Sequence, residues 1–251
     1  MKFTLVSSNM WLLPPPLSVD NKKRISLFTN FCLKRNVDFI CLQEVWLNEY
    51  VKLFLDQLKS YYFVGKPDFL YNKTGLLFFS KYKPVRFTKY CFKISFQSAF
   101  FDLIGRKGYL HAQFKINGED IEIYNIHLNS PYRNSQKKIW HQQMDVITTI
   151  AANRNTSLII AGDFNGPYDL LLKESSFVVN KNEAVNSFSM KNSYRLQGFH
   201  KYTRKLIKLE SKDLDIDGVL YFEKYDKRHV TKQYILNPLV SDHYPVYAEI
   251  E

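Results

Sequence analysis

Apolar and polar residues follow two different rhythms along this chain, and each rhythm predicts a different element. Residues 2–9 alternate with period two, as a half-buried strand does. Over 20–34 the apolar positions Ile25, Phe28, Phe31 and Cys32 fall on one helical face. Residues 37–42 form a short continuous apolar run, the pattern of a strand buried on both sides. Helical spacing returns over 46–58, with Val51, Phe54, Leu55 and Leu58 inward. Strands are predicted at 75–80, 108–115 and 122–128, a helix at 136–152, and strands at 157–161, 216–222 and 244–250. The two kinds of element are mixed throughout, with no linker, repeat or low-complexity tract between them. One α/β domain over 1–251 is predicted. Pro14-Pro15-Pro16 is too short for a linker and stiffens a loop after the first strand.

Composition adds bounds. The 251 residues are 45% apolar, enough for a sizeable core, which excludes a disordered chain. The formal net charge of +11 favours an anionic partner: nucleic acid, a phospholipid surface or a phosphorylated small molecule. Charge does not choose among them, and an AT-rich genome would account for much of it. Cys32, Cys41 and Cys91 lack metal-ligand or redox spacing, and an odd count makes a poor disulfide framework. Cys41 reads as core. The N-terminal residues have no signal-peptide shape, and no apolar stretch approaches the ~20 residues that span a bilayer. A soluble monomer is expected, cytoplasmic or peripheral to a membrane.

The chemistry sits at strand ends. Asn9 ends the first strand, Gln43-Glu44 the second and His127 a third. Gly162-Asp163-Phe164-Asn165 follows a fourth, Asp217 lies in Ile216-Asp217-Gly218-Val219, and Ser241-Asp242-His243 precedes the last. Any one of these has a plain reading as a cap or turn former. Six such positions with acid, amide or imidazole groups converge better on one sheet edge, where sites are built. Hard cations such as Mg²⁺ take oxygen ligands, for which Glu44 and Asn9 are the candidates. No Cys/His cluster suggests structural zinc. His243 suits a general base near neutral pH, with Asp217 or Asp242 to hold its other ring nitrogen. His111, His141, His200 and His229 read as structural or surface residues.

These motifs, in this order, resemble the endonuclease/exonuclease/phosphatase superfamily, which includes deoxyribonuclease I-like nucleases, inositol polyphosphate 5-phosphatases and neutral sphingomyelinases. The resemblance implies a four-layer α/β/β/α sandwich with two mixed, mainly antiparallel sheets. It implies that Glu44 binds Mg²⁺ (or Mn²⁺) with help from Asn9, and that Asp163 positions the attacking water. Asn165 and His127 would donate to phosphoryl oxygens. His243 would be the base, oriented by Asp217 or Asp242.

Three stretches resemble neutral sphingomyelinases more than nucleases: Asn9-Met10-Trp11 with the proline-bearing loop, Leu42-Gln43-Glu44-Val45-Trp46, and His127-Leu128 leading through Pro131-Tyr132-Arg133 to a helix. Gly105-Arg106-Lys107-Gly108 resembles a Gly/Lys loop of sphingomyelinases, and the 5-phosphatases have a similar one. Lys107 there either neutralises a phosphate or is an exposed turn lysine. Trp11, Leu12 and Leu13 fit acyl-chain contact or, preferably, core packing. The expected function is Mg²⁺-dependent release of phosphocholine from a phospholipid at an anionic membrane surface. The alternatives are a nuclease acting on nucleic acid, a phosphoinositide phosphatase, and a non-catalytic binding module.

Overall fold

The computed structural model describes residues 2–66, 68–93, 105–131, 134–152, 156–166, 217–221, 230–235, 241 and 243–251. Their order is β1 (Phe3–Leu12), α1 (Asn21–Lys34), β2 (Phe39–Val45), α2 (Asn48–Gln57), β3 (Tyr62–Phe63), β4 (Leu77–Ser80), β5 (Arg86–Cys91), β6 (Gly108–Ile116), β7 (Glu119–His127), α3 (Asn134–Ala152), β8 (Ser157–Asp163), β9 (Asp217–Tyr221), β10 (Val230–Ile235) and β11 (Val246–Ile250).

Two sheets result. The first has the order β10-β11-β1-β2-β4-β3 and the second β5-β6-β7-β8-β9. Each is antiparallel except for one parallel pair, β1 with β2 and β7 with β8. The expected mixed, mainly antiparallel sheets are therefore present.

Strand alternation separates the layers. Phe3, Leu5, Phe39, Cys41 and Phe78 of the first sheet meet Ile121, Ile123, Ile159, Ala161 and Val219 of the second in one core. The other phase of the first sheet, Val6, Ile40, Leu42, Leu77 and Phe79, packs on Ile25, Phe28, Val51 and Phe54 of α1 and α2. The other phase of the second, Tyr124, Ile126, Leu158, Ile160 and Leu220, packs on Trp140, Met144 and Ile147 of α3. This is the α/β/β/α sandwich. Both faces of the central strands are covered, which is why they read as continuous apolar runs.

All predicted strands and helices occur. The sequence reading missed β3, β5 and β10, and each lies at a sheet edge. β3 is two residues long, too short for a period to register, and β5 and β10 mix charged and polar positions among the apolar ones, so their periodic signal is weak. β5 is largely exposed along its length. Among the described residues no helix is long and apolar enough to cross a membrane.

Candidate functional site

The inter-sheet core is apolar at one end and polar at the other, along the same strand phases. In β1 the inward series Phe3, Leu5 runs on to Ser7 and Asn9; in β2, Phe39 and Cys41 run on to Gln43; in β7, Ile121 and Ile123 run on to Asn125 and His127. In β8 the series ends at Asp163, and in β9 it begins at Asp217. Register aligns them. Asn9 is level with Gln43 in the first sheet. Gly108, His127, Asp163 and Asp217 form one row across the second. Residues far apart in sequence thus meet because period-two strands stack in register.

A polar layer lies just beneath. Gln43 Nε2 donates to Asn125 Oδ1 at 2.8 Å, across the two sheets. Asn125 Nδ2 donates to the carbonyls of Leu42 (3.0 Å) and Leu77 (2.8 Å) on the first sheet. Asn125 is a strap between sheets that the sequence reading did not single out. Its signal was a polar residue at the inward phase of an apolar strand.

Backbone departures aim the outermost groups. Trp11, Glu44 and Asn165 all have left-handed φ, at 45°, 57° and 52°. Such conformations are costly for non-glycine residues and gather at functional sites. At Glu44 the departure breaks the alternation of β2, and the carboxylate lies beside Asn9. Asn9 Nδ2 donates to Glu44 Oε1 at 3.0 Å and to Asp163 Oδ2 at 2.8 Å, while Asn9 Oδ1 accepts from the Trp11 N–H at 3.0 Å. Buried Arg24 of α1, also unforeseen, holds the carbonyls of Met10 (2.7 Å) and Trp11 (3.2 Å), which follow Asn9. Trp11 and Leu12 are buried, in keeping with core packing.

Asp163 is held on both oxygens, Oδ1 accepting from the Asn165 N–H at 2.8 Å. Burial, reinforced by the Asp217 charge, pushes its carboxyl up to about 7, against the opposing pull of His243, Lys107 and Asn9. His127 lies fully buried, with Nε2 3.5 Å from Asp163 Oδ2 and 3.9 Å from Glu44 Oε1. Neither ring nitrogen has a hydrogen-bond partner among the described residues. Burial first, then the Lys107 and His243 charges, hold His127 well below the usual histidine range, so it stays neutral. Asn165 donates through Nδ2 to the Leu128 carbonyl (2.8 Å) and accepts from Ser130 Oγ (2.9 Å).

On the far side of Asp163, His243 Nδ1 meets Asp217 Oδ2 at 2.6 Å. Of the two carboxylates open as its partner, Asp217 makes the contact; Asp242 lies outside the described residues. Lys107 is buried, not an exposed turn lysine, and its charge is felt by both His127 and Asp163. Gly108 after it has no alternative, since a Cβ would stand 1.9 Å from the Tyr90 carbonyl oxygen. His111 is structural, its Nε2 2.7 Å from Glu122.

Two groups of prospective ligands share Asp163: Glu44, His127 and Asp163, and Asp163, Asp217 and His243, each with ligand atoms within 4.8 Å of one another. The first fits a hard divalent cation. It offers two carboxylates, of which Glu44 is partly exposed and reachable by the cation's remaining waters. Asn9 presents nitrogen to these carboxylates, so ligation through its oxygen requires the amide to turn over.

Known proteins resemble the chain in the same terms. A Drosophila melanogaster protein described as "Putative neutral sphingomyelinase" is 27% identical over 190 residues, covering 69% of this chain and 41% of that protein. The chain therefore spans about two fifths of that relative's length. Sphingomyelinase C from Streptomyces griseocarneus superposes with a TM-score of 0.80 at 15% identity, over 99% of both chains. A beta toxin mutant from Staphylococcus aureus with bound magnesium ions gives 0.76 at 19%, again over 99% of both. D. rerio TDP2 complexed with a single-strand DNA product gives 0.74 at 16%, over 100% of this chain and 99% of that one. At these identities the structures establish a shared fold. The sequence profile of the Endonuclease/Exonuclease/phosphatase family matches residues 6–174, more than half of the sequence. On that match, this chain belongs to the Endonuclease/Exonuclease/phosphatase family.

Proposed function

We propose that residues 1–251 form one catalytic domain, a divalent-metal-dependent phosphodiester hydrolase that releases phosphocholine from a sphingomyelin-type phospholipid. The observation that carries the hydrolase reading is the pair of clusters meeting at Asp163: an oxygen-rich group around Glu44 on one side, and the Asp217–His243 couple on the other.

Glu44 and Asn9 would hold Mg²⁺, with Mn²⁺ as the alternative ion. The ion, when bound, supplies positive charge to the phosphoryl oxygens. The chain's own residues do the rest. Asp217 accepts from His243 Nδ1–H, which fixes the tautomer and leaves Nε2 to take a proton from water. Asp163, ionised, orients that water. Asn165 fixes Asp163 through its backbone N–H, and turning its amide offers a donor to the phosphate. Neutral His127 keeps an N–H for a phosphoryl oxygen and cannot compete for the water's proton. Lys107 balances the phosphate charge from below.

The lipid branch rests on the sphingomyelinase-like stretches around Asn9, Glu44 and His127, and on the Drosophila relative. A nuclease is the second reading, favoured by the net charge of +11 and the likeness to a DNA-bound fold. Purified protein with Mg²⁺ or with EDTA, assayed on sphingomyelin, lysophospholipid, plasmid DNA, RNA and a phosphoinositide, separates them. Release of phosphocholine with intact plasmid is expected; efficient nicking with untouched choline lipid overturns the lipid branch. No Mg²⁺-dependent hydrolysis of any substrate would leave the binding-module reading.

A further inference from the structure

Phe69 and Leu70 are 96% and 78% exposed, the two most exposed large hydrophobic side chains among the described residues. Tyr71 follows them, 36% exposed. Three consecutive apolar residues at a loop tip are not scattered surface hydrophobics, which need no explanation. Folding leaves them in water while burying the phenylalanines of β1, β2 and β4.

The loop is also held firmly behind its tip. Asn48 Nδ2 donates to the carbonyls of Asp68 (3.2 Å) and Phe69 (3.1 Å). The Asp68 carboxylate turns back to accept from the Lys73 N–H (2.8 Å) and from Lys89 Nζ. Asn72 Nδ2 donates to the Val45 and Leu76 carbonyls, at 2.8 and 3.0 Å. The one acidic group of the segment is thus spent inside as an anchor, and the tip itself carries no charge.

Further backbone bonds tie the base of the loop to two segments that carry candidate site residues. Asn72 N–H donates to the Trp46 carbonyl (2.9 Å) and Val45 N–H to the Gly75 carbonyl (2.8 Å), tying the loop to the residues after Glu44. Arg106 N–H donates to the Lys73 carbonyl (3.1 Å), tying it to the segment that carries Lys107. Lys66 and Lys73 flank the apolar tip in sequence, Arg106 is bonded to Lys73, and all three are exposed. An apolar tip flanked by cations matches an interface with acyl chains inside and anionic headgroups at the rim.

We propose that the Phe69-Leu70-Tyr71 loop docks the protein on an anionic phospholipid bilayer, inserting Phe69 and Leu70 beneath the headgroups while Lys66, Lys73 and Arg106 meet their phosphates. This rests on the phospholipid reading above and supplies the membrane capture that the sequence alone did not. Single-stranded nucleic acid is the less suitable occupant. Leu70, between the two rings, offers none for a base to stack on, which breaks the run of aromatics that a stacking platform presents.

The test is flotation with vesicles of phosphatidylcholine and phosphatidylserine, in EDTA so that no turnover intervenes. The native chain floats. Phe69→Ser combined with Leu70→Ser weakens binding by about tenfold or more, since two large apolar side chains lose their lipid contact. Lys73→Glu with Arg106→Glu weakens it for anionic vesicles and much less for pure phosphatidylcholine. Unchanged melting temperatures show that the folds are intact, as expected for exposed positions. Equal flotation of native and Phe69/Leu70 variant, or none by the native chain, overturns the proposal. So does loss of oligonucleotide binding in that variant without loss of vesicle binding. Hydrolysis of sphingomyelin dispersed in detergent micelles, with Mg²⁺ present, is read separately. Docking without hydrolysis defeats only the enzymatic reading; hydrolysis with tip-independent flotation defeats only the docking.

Discussion

Asp163, Glu44 and His243 differ in what surrounds them, and their variants should fail differently. Glu44→Gln keeps shape and the acceptor facing Asn9 but removes a charge from the prospective cation site. Turnover should nearly vanish at limiting Mg²⁺ and Mg²⁺ binding by calorimetry should weaken, with the melting temperature retained. Full activity at limiting Mg²⁺ would remove Glu44 from the site. His243→Ala leaves that site whole and deletes the proposed base, so turnover should drop by ~10²–10⁴ while Mg²⁺ binding persists. A base works only unprotonated, so the native rate should fall on the acidic side, where Asp163 also takes up its proton; a variant whose turnover stays within about tenfold of native would show that His243 is not the base. Asp163 makes a prediction for stability. Its carboxyl is pushed up to about 7 by burial and by Asp217, so the folded state holds a proton that the unfolded chain releases near pH 4. The stabilisation from that proton is complete below pH ~4 and is lost as pH rises through about 7. In EDTA, the stability of Asp163→Asn relative to the native chain should therefore rise between pH 5 and 8. The span is a few kcal/mol at most, at ~1.4 kcal/mol per unit. A flat difference in urea midpoints across that range would contradict it.

At the scale of elements, strand β8 carries Asp163 and, just before it, a very close backbone approach. Gly162 has φ 150°, and a Cβ there would stand 2.0 Å from the Ile126 carbonyl oxygen of the neighbouring β7. The parallel pairing of β7 with β8 brings His127 level with Asp163, so the glycine lets two candidate site residues share one row. Gly162→Ala should cost at least ~1–3 kcal/mol, the range for a forced misfit in a packed core, measured as a shift in urea midpoint. Activity should fall with it as the row is pushed apart. A variant of native stability would mean that the strands separate easily here. The hairpin between β6 and β7 has a looser need. Asn117 and Gly118 both have positive φ, the geometry that a two-residue turn requires.

Across the whole molecule, the two sheets are joined by an apolar core at one end and by the Gln43–Asn125 layer near the other. Asn125 satisfies two carbonyls of the opposite sheet and one amide, so its loss orphans several buried groups together. Asn125→Leu preserves volume but should destabilise by roughly 1–3 kcal/mol for each group left unpaired. Turnover should fall too, because Asn9 and Glu44 come from one sheet and His127, Asp163 and Asp217 from the other. Measured unfolding free energy and turnover should decline together. Native-like values for both would show that the apolar core alone sets the spacing of the sheets.

Periodicity determined most of the elements, and polar groups at strand ends, together with the family resemblance, singled out the candidate residues. A strand covered on both faces must be apolar throughout, so a polar residue at its end stands out, as Asn9, His127 and Asp163 do. Edge strands escaped because one side meets water and their pattern dissolves, as in β5. What only the tertiary structure decided depends on register between distant segments. Asp217 lies at the His243 imidazole through pairing with β8 and the placement of β11, which no local spacing encodes. The burial of Lys107, the strap of Asn125 and the left-handed turn that brings Glu44 to Asn9 follow from the meeting of two sheets. Exposure works the same way: Phe69-Leu70-Tyr71 has the composition of a core segment, and only packing, which fills the interior with other phenylalanines, leaves it outside.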